Sequence, residues 1–398
     1  MAPPLAGIRI VEIGAMIAVP AATYQLATQG AEVIKVEDVA HGDELRLYGS
    51  QKGGLGAWFI NANSGKRSIA INLRDERGKA ILWKLIEHAD VVVQGFRPGV
   101  LARLGFGAEA VLQRYPKMVY CSSSGFGATG PYSDLPVYDP VIQSLAGWAG
   151  AQQTDQGPSL IHAFVADKIA ALTTAQAITA GLVQRGKTGQ GLHIEMSMLE
   201  ANIAFVWPDT MMHASLLDVD AEHRPNLAQT YRLFACQDGW ITITTGTDAQ
   251  WASMCAALEQ HDLANDERFK TAAARSRNVE AWYDAMERSV QPFPIAEVVK
   301  RLRAADVPVA PVLDPTEVAA DAQVIAREMI QEIEHPVAGR LRQPRPSAAW
   351  FGAELELAPA PLHGEHTTEI LGELAYDPDN ITQLHADGVV GKQPPSKS

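Results

Sequence analysis

The feature that most constrains this fold is an alternation across the first 125 residues, where short β-rich runs are separated by longer amphipathic stretches. A parallel strand needs a crossover before the next can start at the same end, so this pattern predicts an α/β fold with a parallel sheet wrapped by helices. Residues 8–13 read as a strand, 21–28 as a helix stopped by Gly30, and Glu32–Glu37 as a second strand, which makes one βαβ unit. Helices at 75–88 and 109–114 and strands at Val91–Gln94 and 118–121 continue it. Residues 122–131, Ser-Ser-Ser-Gly-Phe-Gly-Ala-Thr-Gly-Pro, then read as loop.

An Ala-rich helix is predicted over 164–185, closed by a turn at 186–191 and followed by a strand at 192–198 and a helix at 200–217. The polar stretch 218–226, with Pro225, reads as a linker, and 398 residues exceed what one core usually serves. The expected division is therefore a large α/β domain at 1–217, a small α+β domain at 227–320, and 321–398. The small domain opens with a hairpin turning at Gln237-Asp238-Gly239. The last part holds a second hairpin at 330–345 and a loosely held tail from 375.

Composition narrows the function classes. A net charge of -13 repels phosphate backbones and anionic membranes, so nucleic acid and membrane partners are disfavoured. Three scattered cysteines and the lack of a basic-then-apolar leader point to a reducing cytoplasm. After the first strand the chain runs Gly14-Ala15-Met16-Ile17-Ala18-Val19-Pro20, without G-x-G-x-x-G, and Gly186-Lys187-Thr188 lacks the earlier glycine of a nucleotide-binding loop. No H-E-x-x-H or G-x-S-x-G occurs, so neither a metal nor a serine nucleophile is expected.

Four features remain. Asp167 falls at the start of the helix predicted from 164, where a carboxylate either stabilises the helix end or stands as a positioned nucleophile; position alone does not choose. The three glycines of 122–131 either let backbone amides approach a polar ligand or serve only a flexible turn. Lys66 and Arg67, beside Gly65, fit a phosphate clamp or a solvated charge pair. Arg97 and Arg103 follow a strand end, where open α/β sheets bind ligands.

Several motifs occur in order: Gly30-Ala31-Glu32-Val33-Ile34-Lys35-Val36-Glu37, Gly42-Asp43-Glu44-Leu45-Arg46, Lys66-Arg67-Ser68, Arg97-Pro98-Gly99, Ser124-Gly125-Phe126-Gly127-Ala128-Thr129-Gly130-Pro131 and Thr188-Gly189-Gln190-Gly191. Their succession resembles the class III CoA-transferases, whose fold the acyl-CoA racemases share. The resemblance implies a Rossmann-like large domain built from both termini, a small inserted domain and an interlocked homodimer. It implies that coenzyme A is a substrate rather than a bound cofactor, with Asp167 as the nucleophile. It further implies that Met16, Ile17, Ala18, Lys66, Phe96, Arg103, Ser124 and Phe126 line the CoA site, with Arg67 and Arg97 as further cations. In this reading helix amides keep Asp167 ionised.

Two departures stand out. Asp38 occupies a position where many members carry an Arg beside the CoA phosphates, and Val19 replaces a glycine. An acid does not clamp phosphate, so Lys66, Arg67, Arg97, Arg103 or an inward-turned Lys35 inherit that task. A racemase would need a His before the aspartate of Val137-Tyr138-Asp139-Pro140, where Tyr138 stands. The expected reaction is CoA transfer from an acyl-CoA, with succinyl-CoA a candidate donor, to a carboxylic acid. A racemase or isomerase and a non-catalytic CoA-binding protein are the alternatives.

Overall fold

The computed structural model describes residues 1–154, 156–218, 220, 226, 228, 231–348 and 358–391. By contacts the chain divides into two units, one of Met1–Met211 with Met329–Ser398, the other of Met212–Glu328.

The first unit is organised by a six-stranded parallel sheet. Its strands are β1 (Arg9–Ile13), β2 (Glu32–Glu37), β3 (Lys66–Ala70), β4 (Val91–Gln94), β5 (Val119–Ser124) and β6 (Leu192–Ser197). Their spatial order is β3-β2-β1-β4-β5-β6. The helices used below are α1 (Ala18–Ala27), α2 (Ala57–Asn63), α3 (Glu76–Glu87), α4 (Asp139–Leu145), α5 (Val165–Thr188) and α6 (Met198–Thr210).

Successive side chains of a strand point to opposite faces, and here both faces carry apolar side chains, with Glu12, Lys35 and Lys66 as buried charges among them. Val11, Ile34, Val36 and Val92 face α3, burying Ile81, Leu82 and Leu85. Ile10, Val33, Val91 and Val93 face the other way, onto Val19 and Leu26 of α1 and Ala175 and Ile178 of α5. Each such aliphatic side chain contributes about 1.5–3 kcal/mol by leaving water.

Four sequence expectations need correction. β5 runs on through Ser124, because residues 122–124 pair with Glu195, Met196 and Ser197 of β6, so the loop starts at Gly125. Helix α5 extends past Arg185 to Thr188, and the left-handed Gly189 (φ 73°) ends it. The helix expected at 200–217 ends at Thr210, with a separate short helix at Met212–Ser215. The tail is packed as far as 391: helix Pro378–Ala386 buries Ile381 and Leu384, and the Gly391 amide donates to the Ala70 carbonyl (2.9 Å), against the β3 edge. Residues 392–398 and most of the linker at 218–226 lie outside the described residues.

The second unit has its own core. An antiparallel sheet of Leu233–Cys236, Gly239–Ile243 and Val309–Pro311 carries Phe234 and Ile241 onto Trp251, Met286 and Leu302 of its helices.

The entry to β6 is tight. A Cβ on Gly191 would lie 1.9 Å from the Met118 carbonyl oxygen, whereas one on Gly186 would meet nothing within 4 Å. Gly191→Ala is therefore expected to cost about 1–3 kcal/mol through overpacking, while Gly186→Ala, inside a helix, is neutral or stabilising. Thermal unfolding of the two variants checks this.

Candidate active site

In an open α/β sheet the crevice lies beyond the carboxyl ends of the strands, where the order reverses. Here that point is between β1 and β4, whose chains leave through Gly14 and Gly95. The Gly95 amide donates to the Ile13 carbonyl (3.1 Å), and a Cβ on Gly14 would lie 2.7 Å from a Val19 methyl. Only glycine lets the first turn close this tightly.

The loops after β4 and β5 bring four of the expected residues together. Phe96, Arg97, Ser124 and Phe126 surround a pocket of about 230 Å³, walled by Val137 and Tyr138. Phe96, Arg97 and Ser124 also face a second pocket of about 170 Å³, beside Ser122, His193 and Glu195. Glu195 Oε1 accepts from the Ala128 amide (2.8 Å) and Ser124 Oγ from the Gly127 amide (3.1 Å), which fix the glycine loop. Arg103 lies behind Gly99 on the same side, its Nη1 3.1 Å from where a Gly99 Cβ would stand. Arg97 and Arg103 are exposed and form no carboxylate pair among the described residues.

A larger cavity, about 680 Å³, opens at the amino ends of β4, β5 and β6, lined by Asp90, Arg114, Lys117, Arg185 and Gln190. It lies at the wrong end of a parallel sheet for chemistry of this kind, and its Arg185 is paired with Asp90.

Met16, Ile17 and Ala18 form the turn from β1 into α1. Met16 is left-handed (φ 64°), which costs a residue with a Cβ about 1–2 kcal/mol. Its amide donates to Asp43 Oδ1 (3.0 Å). Met16 and Ile17 pack on Leu45, Phe59 and Ile60, and Ala18 on the cluster of Phe126, Val137, Val165 and Ala166.

Lys66 and Arg67 are placed differently from expectation, and for a clear reason: both are already paired inside the protein. Lys66 lies on a strand rather than a glycine turn, 1% exposed, and its ammonium donates to Glu12 Oε2 (2.7 Å), the Pro20 carbonyl (2.7 Å) and Asn63 Oδ1 (2.8 Å). Burial pushes it down to about 8. Arg67 binds Glu32, Glu369 and Glu373. Lys35 is likewise buried, against Glu12 and Asp43. Asp38 makes a local turn, its Oδ1 accepting from the Ala40 (2.9 Å) and His41 (3.2 Å) amides.

Asp167 is the third residue of α5, after Phe164 at the helix cap, so it is not itself the cap. Among the described residues its carboxylate accepts no hydrogen bond, and its amide donates to Asp139 Oδ2 (3.0 Å). Burial, followed by the neighbouring Asp139 carboxylate, raises it to about 7. The expectation that helix amides keep it ionised is thus reversed: its surroundings favour the protonated form.

Sequence reasoning did not single out Asp139 as a site residue. It opens α4 just before Pro140, is 3% exposed, and Gln143 donates to its Oδ1 (2.6 Å). The Asp-Pro start with a glutamine four residues on was the available signal. Tyr138 of the pocket wall precedes it directly in the chain. An aromatic row was missed as well: Trp58 stacks on Tyr48 and meets Phe164 edge-on, with ring centres 4.8 Å apart in the latter pair.

A family model described as CoA-transferase family III matches residues 5–367. The chain belongs to this family. It is 31% identical to human succinyl-CoA:glutarate CoA-transferase, an alignment covering 97% of this chain and 90% of that one. With the Acetobacter aceti acetyl-CoA:oxalate CoA-transferase the identity is 33%, covering 82% and 85%. A crystal structure of a CAIB/BAIF family protein from Brucella suis superposes with a TM-score of 0.82 at 31% identity, covering 94% of this chain and all of that one. This family III enzyme accordingly transfers CoA between an acyl-CoA and an acid.

Because the folded protein holds Asp167 near 7 against an ordinary 3.8, its ionisation opposes folding. That stability is present below 3.8, is lost as pH rises to about 7, and stays lost above. Asp167→Asn in this transferase is expected to melt about 2–4 °C higher than the parent at pH 8. The gap should narrow as pH falls from 7 toward 4, as measured by calorimetry.

Proposed function

We propose that Asp167 carries the transfer covalently. Its carboxylate attacks the donor thioester carbonyl, and the C–S bond breaks to give an aspartyl mixed anhydride and CoA thiolate. The thiolate then attacks the aspartyl carbonyl, releasing the donor acid and leaving an aspartyl-CoA thioester. The acceptor carboxylate displaces CoA to form a second anhydride, and the returning thiolate takes the new acyl group and frees Asp167.

The observation that carries this reading is a carboxylate on the first turn of a helix that accepts no hydrogen bond among the described residues, next to Ala166, which packs in one cluster with Ala18 and Phe126. A group raised to about 7 is a stronger nucleophile than an ordinary aspartate, while enough of it remains ionised at neutral pH. Arg97 and Arg103, which form no carboxylate pair among the described residues, are the proposed cations for the CoA phosphates, with Met16, Ile17, Ala18, Phe96, Ser124 and Phe126 as the walls. Small dicarboxylates are the proposed acids, with succinyl-CoA as donor, by analogy with the named activities of these relatives. A cytoplasmic homodimer with a small inserted domain completes the proposal.

Asp167→Ala should lose roughly a thousandfold or more in CoA transfer from succinyl-CoA while keeping its fold. In the parent, hydroxylamine with donor present should give a hydroxamate at Asp167, seen by mass spectrometry; transfer surviving in the variant would sink the covalent mechanism. Rate should rise with pH through about 7 as Asp167 ionises. Asp139→Asn, by removing the neighbouring carboxylate, should move that rise to lower pH, which a pH–rate profile of both proteins checks.

A further inference from the structure

Four charged side chains sit under the turn from β1 to α1 with essentially no exposure: Glu12, Lys35, Lys66 and Asp43. Their formal charges cancel, which burial at this depth requires. Their contacts do not stop at one another. Lys35 Nζ donates to Glu12 Oε1 (2.7 Å) and to the Gly14 carbonyl (2.8 Å), and forms an ion pair with Asp43 Oδ2 (2.8 Å). Lys66 Nζ donates to the Pro20 carbonyl, and Asp43 Oδ1 accepts from the Met16 amide. Thr23 of α1 donates to Glu12 Oε2 (2.5 Å). The cluster therefore grips the turn at Gly14 and Met16 and the first helical turn at Pro20.

A cluster serving only the sheet would have no need to hold the turn's backbone. Met16 supplies the reason, since a left-handed residue with a side chain persists only where its surroundings over-determine it. We propose that Glu12, Lys35, Lys66 and Asp43 are positioning residues for acyl-CoA, holding the Gly14–Ile17 turn in the strained conformation that receives the coenzyme. This rests on the reading that Met16, Ile17 and Ala18 line the CoA site, and it gives Lys66 a task other than binding phosphate.

The test is a double-mutant cycle of Asp43→Ala, which removes the acceptor for the Met16 amide, and Met16→Gly, which adopts a left-handed φ without support. Asp43→Ala is expected to raise the KM for succinyl-CoA about tenfold, leaving the KM for the acceptor acid and kcat at saturation within about threefold. Met16→Gly in that background should recover much of the loss, so the two changes are non-additive. A merely structural cluster would lower the melting temperature without that split; equal KM changes for donor and acid, or additive effects, overturn the proposal. If Asp43→Ala does not fold, Asp43→Asn, which keeps the acceptor but weakens the Lys35 pair, carries the same cycle with a smaller donor effect, and additivity again overturns it. Binding of free CoA by titration calorimetry reads the same cycle without turnover. A parent that binds CoA but transfers none would therefore sink the proposed function and leave this inference standing or falling on its own result.

Discussion

Everything in the candidate site hangs on the reversal of strand order between β1 and β4. Strands on either side of that point are followed by connections that leave in opposite directions, so no crossover covers the crevice. Gly14 and Gly95 let the two departing chains approach Val19 and each other. The loop at Phe96 and Arg97 lines the pockets there, while the turn at Met16 packs on Leu45, Phe59 and Ile60. The glycine loop after β5 and the start of α5 lie one strand further along, where Ala18, Phe126 and Ala166 join one packed cluster.

Charge is distributed around that opening with economy. In a chain of net charge -13, most cations near the large unit's sheet are held by carboxylates: Lys35 and Lys66 in the interior, Arg46 by Glu37, Arg67 by three glutamates. Glu37 is held down to about 2 because, although burial would raise it, Arg46 binds it with both hydrogen bonds and charge. Arg97 and Arg103 have no such partner among the described residues, at the carboxyl ends of the strands. Asp167 is the opposite case, an acid deprived of water and set beside another acid, which is the usual way a protein makes a carboxylate reactive.

Much of this was legible in the chain. Val91-Val92-Val93, Ile10-Val11 and Val33-Ile34 can only be strands buried on both faces, and glycines beside them mark where ligands approach. The ordered motifs identified the family, which makes Asp167 the candidate nucleophile. What misled was local chemistry read without its neighbours. Lys66 and Arg67 beside a glycine look like a phosphate clamp, yet the alternating Lys66-Arg67-Ser68-Ile69-Ala70 is a strand that sends one cation inward to Glu12 and the other outward to Glu32, Glu369 and Glu373.

By itself, then, the sequence determined the parallel sheet, the glycine turns at its carboxyl edge, the absence of a dinucleotide loop and the candidacy of Asp167, because each is encoded in short local runs of residues. Only the tertiary structure decided which cations stay free, that Asp139 stands against Asp167, and that a buried charge cluster grips the Met16 turn. Those depend on pairs as distant as 12 with 66 and 139 with 167, whose meeting is set by strand order and packing rather than by anything local to either residue.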